Sequence, residues 1–112
     1  MGPLKGIKIV EFSGIGPGPF CGMLLADLGA DVIRISRKDA HGMENKFDVH
    51  NRSKKTITAD LKNKETVDEI LKLIEQVDVV FEGFRPGIME KLGLGPDVCL
   101  KINRKLVYGR MT

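Results

Sequence analysis

The groups in this sequence able to do chemistry are mostly cations set beside glycines. Arg37 and Lys38 follow an apolar run, Asn51-Arg-Ser-Lys-Lys55 forms a basic patch, and Arg85 and Lys91 lie on either side of Pro86 and Gly87. Guanidinium and ammonium groups next to turns where backbone can approach closely suit a phosphorylated ligand. The acid–base inventory is poorer. His41 and His50 each stand alone in a polar stretch and read as solvated side chains. Glu11 is a carboxylate inside an apolar run, where hydrogen bonding to a neighbouring loop is a better expectation than service as a base. Cys21 and Cys99 have neither metal-ligand spacing nor a disulfide framework, so both read as buried thiols. No metal site is expected.

These groups must be held by the elements around them. Lys5 to Phe12 reads as a near-continuously apolar strand, the kind covered on both faces in a parallel sheet. A turn with glycines at 14, 16 and 18 follows, and then a helix that Pro19 opens and Gly29 closes. Phe20, Met23, Leu24, Ala26 and Leu28 leave little of that helix polar, which predicts packing against a sheet. Ala30 to Ile35 is the next buried strand.

Strand, glycine turn, helix and strand within about thirty residues is a nucleotide-site layout. The dinucleotide fingerprint nevertheless fails on chemistry. Pro17 and Pro19 have no N–H to offer a pyrophosphate, and the second strand ends on Arg37 and Lys38 where an acidic residue would bind the ribose. Those cations would pair instead with a phosphate on the ribose.

Further along, residues 38–55 show no periodicity and read as a long exposed loop, its basic patch flanking a phosphate pocket. Thr56 to Thr58 is a short β-prone piece. The helix expected over 63–76 carries Val67, Ile70, Leu71, Leu73 and Ile74 on one face, with Lys64, Glu65, Asp68, Glu69 and Lys72 outside. Val77 to Phe81 is a buried strand leading into a loop with Gly83 and Gly87, and Pro86 opens a short helix to Leu92. Asp97 to Ile102 is helical, and Leu106 to Met111 is a last strand. The fold class is therefore α/β: a Rossmann-like, mostly parallel sheet with flanking helices.

Bulk properties narrow the function. With 112 residues the chain is one domain, 1–112, and stopping on a strand marks it as a piece of a longer chain. Eighteen basic against fifteen acidic residues give a net charge of +3, too balanced to demand nucleic acid, and no aromatic residues interleave the basic patch to stack on bases. There is no leader-like apolar segment and no run near the ~20 apolar residues of a membrane span, so no membrane partner is expected. The default compartment is the cytoplasm, or the mitochondrion or peroxisome for a eukaryotic source.

Four words in order carry a family resemblance: Pro3-Leu-Lys-Gly-Ile-Lys-Ile-Val-Glu11, Gly16-Pro-Gly-Pro-Phe-Cys-Gly-Met-Leu-Leu-Ala-Asp-Leu-Gly-Ala-Asp-Val-Ile-Arg34, Asn51-Arg-Ser-Lys-Lys-Thr-Ile-Thr-Ala-Asp-Leu-Lys62 and Phe84-Arg-Pro-Gly-Ile-Met-Glu-Lys-Leu-Gly-Leu-Gly-Pro96. The chain resembles the N-terminal part of the family III CoA-transferases (CaiB/BaiF type), closest to the alpha-methylacyl-CoA racemases among them. The resemblance implies an acyl-CoA ligand, no prosthetic group and a homodimer of interlocked full-length chains.

By position, the residues implied to contact CoA are Ile15 and Gly16 in the first turn, Arg37 after the second strand, Ala59, Asp60, Leu61 and Lys62, then Gly83, Phe84 and Arg85, and finally Lys91. It also implies that the racemases' acid–base His and Asp match no residue of this chain, so no catalytic residue is expected in it. Two alternatives stay open: a transferase moving CoA between carboxylic acids, and a non-catalytic module for CoA or NADP. An uncovered last strand predicts that the chain associates with another copy or with the remainder of its protein.

Overall fold

Four parallel registers build the sheet. Strand β1 (Lys8–Phe12) lies between β2 (Asp31–Arg37) and β4 (Val79–Glu82), with Val10 opposite both Ile33 and Val80. β3 (Lys54–Ala59) flanks β2, and β5 (Val107–Arg110) flanks β4, giving the order β3-β2-β1-β4-β5. This computed structural model describes residues 2–12, 17–37 and 54–111, so the expected turn at 13–16, the histidines at 41 and 50 and most of the long loop lie outside the described residues. The expected parallel α/β sheet is what forms. Its strand order reverses at β1, where crossovers switch from one side to the other.

Each face of the sheet has its own core. Helix α1 (Pro17–Asp27) covers one face, where Cys21, Leu25 and Ala26 pack on Ile9, Val32 and Phe81. On the other face, α2 (Lys64–Ile74), α3 (Ile88–Lys91) and α4 (Pro96–Ile102) bring Val67, Ile70, Ile74, Met89 and Cys99 against Val10, Phe12, Ile35 and Val80. The amphipathic pattern of α2 dictates this: its apolar residues turn inward, and the five charged residues named above are exposed. Asn63 caps it, its Oδ1 accepting from the Glu65 and Thr66 amides at 2.9 and 3.3 Å.

Several expectations are corrected. The apolar surface of α1 is not all packed: Phe20, Leu24 and Leu28, spaced four apart, are 47%, 45% and 45% exposed, because only one side of a single helix can meet the sheet. Lys54 and Lys55 belong to β3 rather than to a loop, since Thr56, Ile57 and Thr58 extend a β-branched run in register with β2. Lys54 is also unavailable to any phosphate. Its ammonium lies 2.7 Å from Glu11 Oε1, both side chains fully buried, and it donates to the Pro19 carbonyl at 3.0 Å.

Glu11 therefore pairs across the sheet with a lysine instead of reaching a loop. A side chain at position 22 would collide with its carboxylate, so Gly22 is what lets α1 lie directly over the pair. Burial raises the Glu11 pKa in spite of Lys54 and the nearby Arg34, and its Oε2 has no hydrogen-bond partner among the described residues. Cys99 is buried as expected, whereas Cys21 is only partly so.

Candidate functional site

In an open parallel sheet the binding crevice lies beyond the carboxyl ends of the strands, next to the point where strand order reverses. Here that edge is formed by the ends of β3, β2, β1 and β4, and the expected site residues at 59–62 and 83–85 lie at or just after the ends of β3 and β4. Ala59 ends β3, buried, and the chain turns through Asp60, Leu61 and Lys62 into α2. Asp60 locks this turn: its Oδ1 accepts from the Lys62 amide at 3.1 Å and its carbonyl accepts from the Asn63 amide at 3.1 Å. Leu61 is buried beneath it while Asp60 and Lys62 stay exposed.

The second arm begins where β4 ends. Glu82 is buried, and its Oε1 accepts the Phe84 amide at 2.8 Å, so the turn Gly83-Phe84-Arg85 is folded back onto the strand that precedes it. Phe84 packs partly against the core, leaving Arg85 exposed. Gly87, with φ +88°, then makes the left-handed step that aims α3, a conformation that disfavours any side chain. Lys91 ends α3, exposed. Pro86 thus sits in the turn before the helix instead of opening it.

Two clefts border the β3–α2 turn. The larger, about 480 Å³, brings Leu61 and Lys62 together with Lys91, although these are far apart in sequence. Lys64, from the first turn of α2, joins them. Three lysines and one acidic residue, Asp68, line that cleft, and the adjacent start of α2 adds its positive dipole end. Such an arrangement attracts a phosphate. Sequence reasoning missed Lys64 because it counted the residue among the solvent face of α2; its place within two positions of Lys62 at a helix start was the available signal. The second cleft, about 400 Å³, is lined by Ala59 and Asp60 with Ile57 and Thr66, on the other side of the same turn.

The remaining expectations divide. Gly83, Phe84 and Arg85 line neither cleft. Arg37 ends β2 with its backbone opposite Ala59, and its side chain lies outside the described residues, as do Ile15 and Gly16. No group of three potential metal ligands occurs among the described residues, and none of their helices is long and apolar enough to cross a membrane.

A doubly wound parallel sheet with helices on both faces defines an α/β domain. Within that class, the family model for CoA-transferase family III matches residues 4–112, and the chain belongs to that family. It is 44% identical over 109 residues to an alpha-methylacyl-CoA racemase of Mus musculus, and 37% identical over 123 residues to a protein of Mycobacterium tuberculosis described as the probable fatty acyl-CoA transferase Rv3272. Those alignments cover 97% and 98% of this chain, but the chain spans only 28% and 31% of the two relatives. The solved structure of Rv3272 superimposes with a TM-score of 0.92 at 41% identity, covering all of this chain and 32% of that one.

Proposed function

We propose that the chain is the CoA-binding part of an alpha-methylacyl-CoA racemase, an isomerase that inverts the 2-methyl centre of acyl-CoA thioesters by 1,1-proton transfer through an enolate. The CoA-binding part of this reading is supported by the cleft lined by Lys62, Lys64 and Lys91 at the end of the β3–α2 turn, and its racemase part by the 44% identity to an alpha-methylacyl-CoA racemase. In this reading the lysines and Arg37 hold CoA phosphates, Arg85 pairs with phosphate or stacks on the adenine, and the 59–62 turn offers backbone groups to the base. Ile15 and Gly16 contribute backbone from the first turn. Proton abstraction next to the thioester needs a positioned base and an oxyanion stabiliser, and both come from outside this chain. No prosthetic group takes part, and the working protein is a homodimer.

The rival is a CoA-transferase, favoured by the similarity to Rv3272, in which a carboxylate nucleophile would carry the acyl group as an anhydride. Incubating the protein that carries this sequence with a 2-methylacyl-CoA in D2O separates the two. Deuterium at the α-carbon supports the racemase, whereas transfer of CoA to an added carboxylate without exchange supports the transferase. A parallel titration tests the shared premise: acetyl-CoA binding more tightly than NADPH is expected, with Arg37→Ala weakening it by about 1.5–3 kcal/mol. Tighter NADPH binding would overturn the CoA reading.

A further inference from the structure

One guanidinium, that of Arg110 in β5, ties together the two segments that carry Arg85 and Lys91. Its Nε donates to Glu82 Oε2 at 2.8 Å, and its two terminal nitrogens fork onto Glu90, each at 2.8 Å. The other oxygen of Glu82 accepts the Phe84 amide, one residue before Arg85. Glu90 stands one residue before Lys91. Arg110 also lies over the Tyr108 ring at 5.6 Å, and the Tyr108 hydroxyl donates to the Leu94 carbonyl at 2.7 Å just beyond α3. The buried carboxylate of Glu82 is thereby satisfied on both oxygens, one from the turn and one from β5.

We infer that Arg110 is a positioning residue for the ligand site: it fixes the turn at 83–85 and the end of α3 relative to each other, and so sets the spacing of the Arg85 and Lys91 cations on the ligand's phosphates. This rests on the proposed CoA site. The cross-strand register already holds Glu82 beside Arg110, so the backbone ladder does not need the fork. What the fork adds is the link to Glu90 on a different element. Only arginine can do this, since its Nε edge and its terminal edge address two carboxylates at once, while a lysine ammonium is a single point charge.

The test uses the protein that carries this sequence, with acetyl-CoA as the probe and affinity read by calorimetry. Arg110→Ala is expected to weaken binding about tenfold, and the double variant Arg110→Ala with Arg85→Ala to be no weaker than the poorer single, because the two share one effect. Arg110→Lys is expected to resemble Arg110→Ala. Glu90→Gln, at an exposed helical position, weakens binding by a smaller factor and carries the test with Arg110→Lys if Arg110→Ala does not fold. The Phe84 amide resonance should move in the Arg110 variants. Additive losses in the double variant, or full affinity in Arg110→Lys, would overturn the inference. So would unchanged affinity in Arg110→Ala while Arg85→Ala binds weakly. If Arg85→Ala and Lys91→Ala both bind normally, the CoA site itself is misplaced and the positioning role falls with it.

Discussion

Replacing Lys54 with methionine removes one half of an ion pair that has no access to water. The ammonium sits 2.7 Å from Glu11 Oε1 and 3.0 Å from the Pro19 carbonyl, and both charged side chains are fully buried. Methionine keeps the volume but leaves the carboxylate without its partner, and breaking such a pair costs about 3–5 kcal/mol. Against a domain stability of about 5–15 kcal/mol this is a large fraction. With a urea slope of about 1.5 kcal/mol per molar, the unfolding midpoint should fall by about 2–3 M.

The loss also has a sign in pH. Burial already raises the Glu11 pKa above its ordinary 4.5, and Lys54 opposes that rise. Without Lys54 the rise is larger, so the folded state binds the proton more tightly than the unfolded chain. Stability is then fully present below the ordinary value and is lost as pH climbs through the raised folded-state value, so the deficit should widen as pH rises above the ordinary 4.5. The double variant Glu11→Met with Lys54→Met, which leaves no buried charge, should recover to near the parent or above it. A Lys54→Met midpoint within about 0.5 M of the parent, or a double variant as unstable as the single, would refute the reasoning.

The two thiols should separate chemically. Burial pushes Cys99 up to about 11, and its Sγ donates to the Leu94 carbonyl, so alkylation of the folded protein followed by peptide mass spectrometry should label Cys21 first; equal rates would contradict the packing of α4. Glu90 should titrate unusually low. Hydrogen bonds from Arg110 hold it at about 2, so its contribution is present above the ordinary 4.5 and disappears as pH falls through about 2; in Arg110→Ala, carboxyl NMR should find the midpoint back in the usual range.

Local signals made most of the fold legible. The apolar runs at Ile9–Val10 and Val32–Ile33 and the period of α2 are properties of neighbouring residues, and they survived intact. Lys54 was misread because a lysine in a polar stretch gives no local sign of being buried; only the parallel register of β3 on β2, and the room left by Gly22, put it under α1. The outward stripe Phe20, Leu24 and Leu28 escaped for the same reason, since a helix apolar all round does not declare which side meets the sheet. Of the cleft-lining lysines, Lys62 and Lys91 stand in the family words and Lys64 had only its nearness to Lys62 at a helix start as a signal, whereas the Arg110 fork onto Glu82 and Glu90 joins residues that only the folded chain brings together.

The placement of β1 at the centre of the sheet dictates a sequence of events during synthesis. Its first partner, β2, leaves the ribosome some twenty residues later, but its other edge waits for β4: the Lys8 amide donates to Asp78, 70 positions away, at 2.8 Å, and Lys8 O accepts the Asp78 amide at 2.8 Å. Until residues 79–82 emerge, Ile9 and Val10 present an open hydrogen-bonding edge to whatever is nearby. The nascent chain therefore synthesises residues 38–78 with its innermost strand half-paired. Because closure waits for the segment to be translated, the interval before β4 arrives is the period when a holding chaperone matters most.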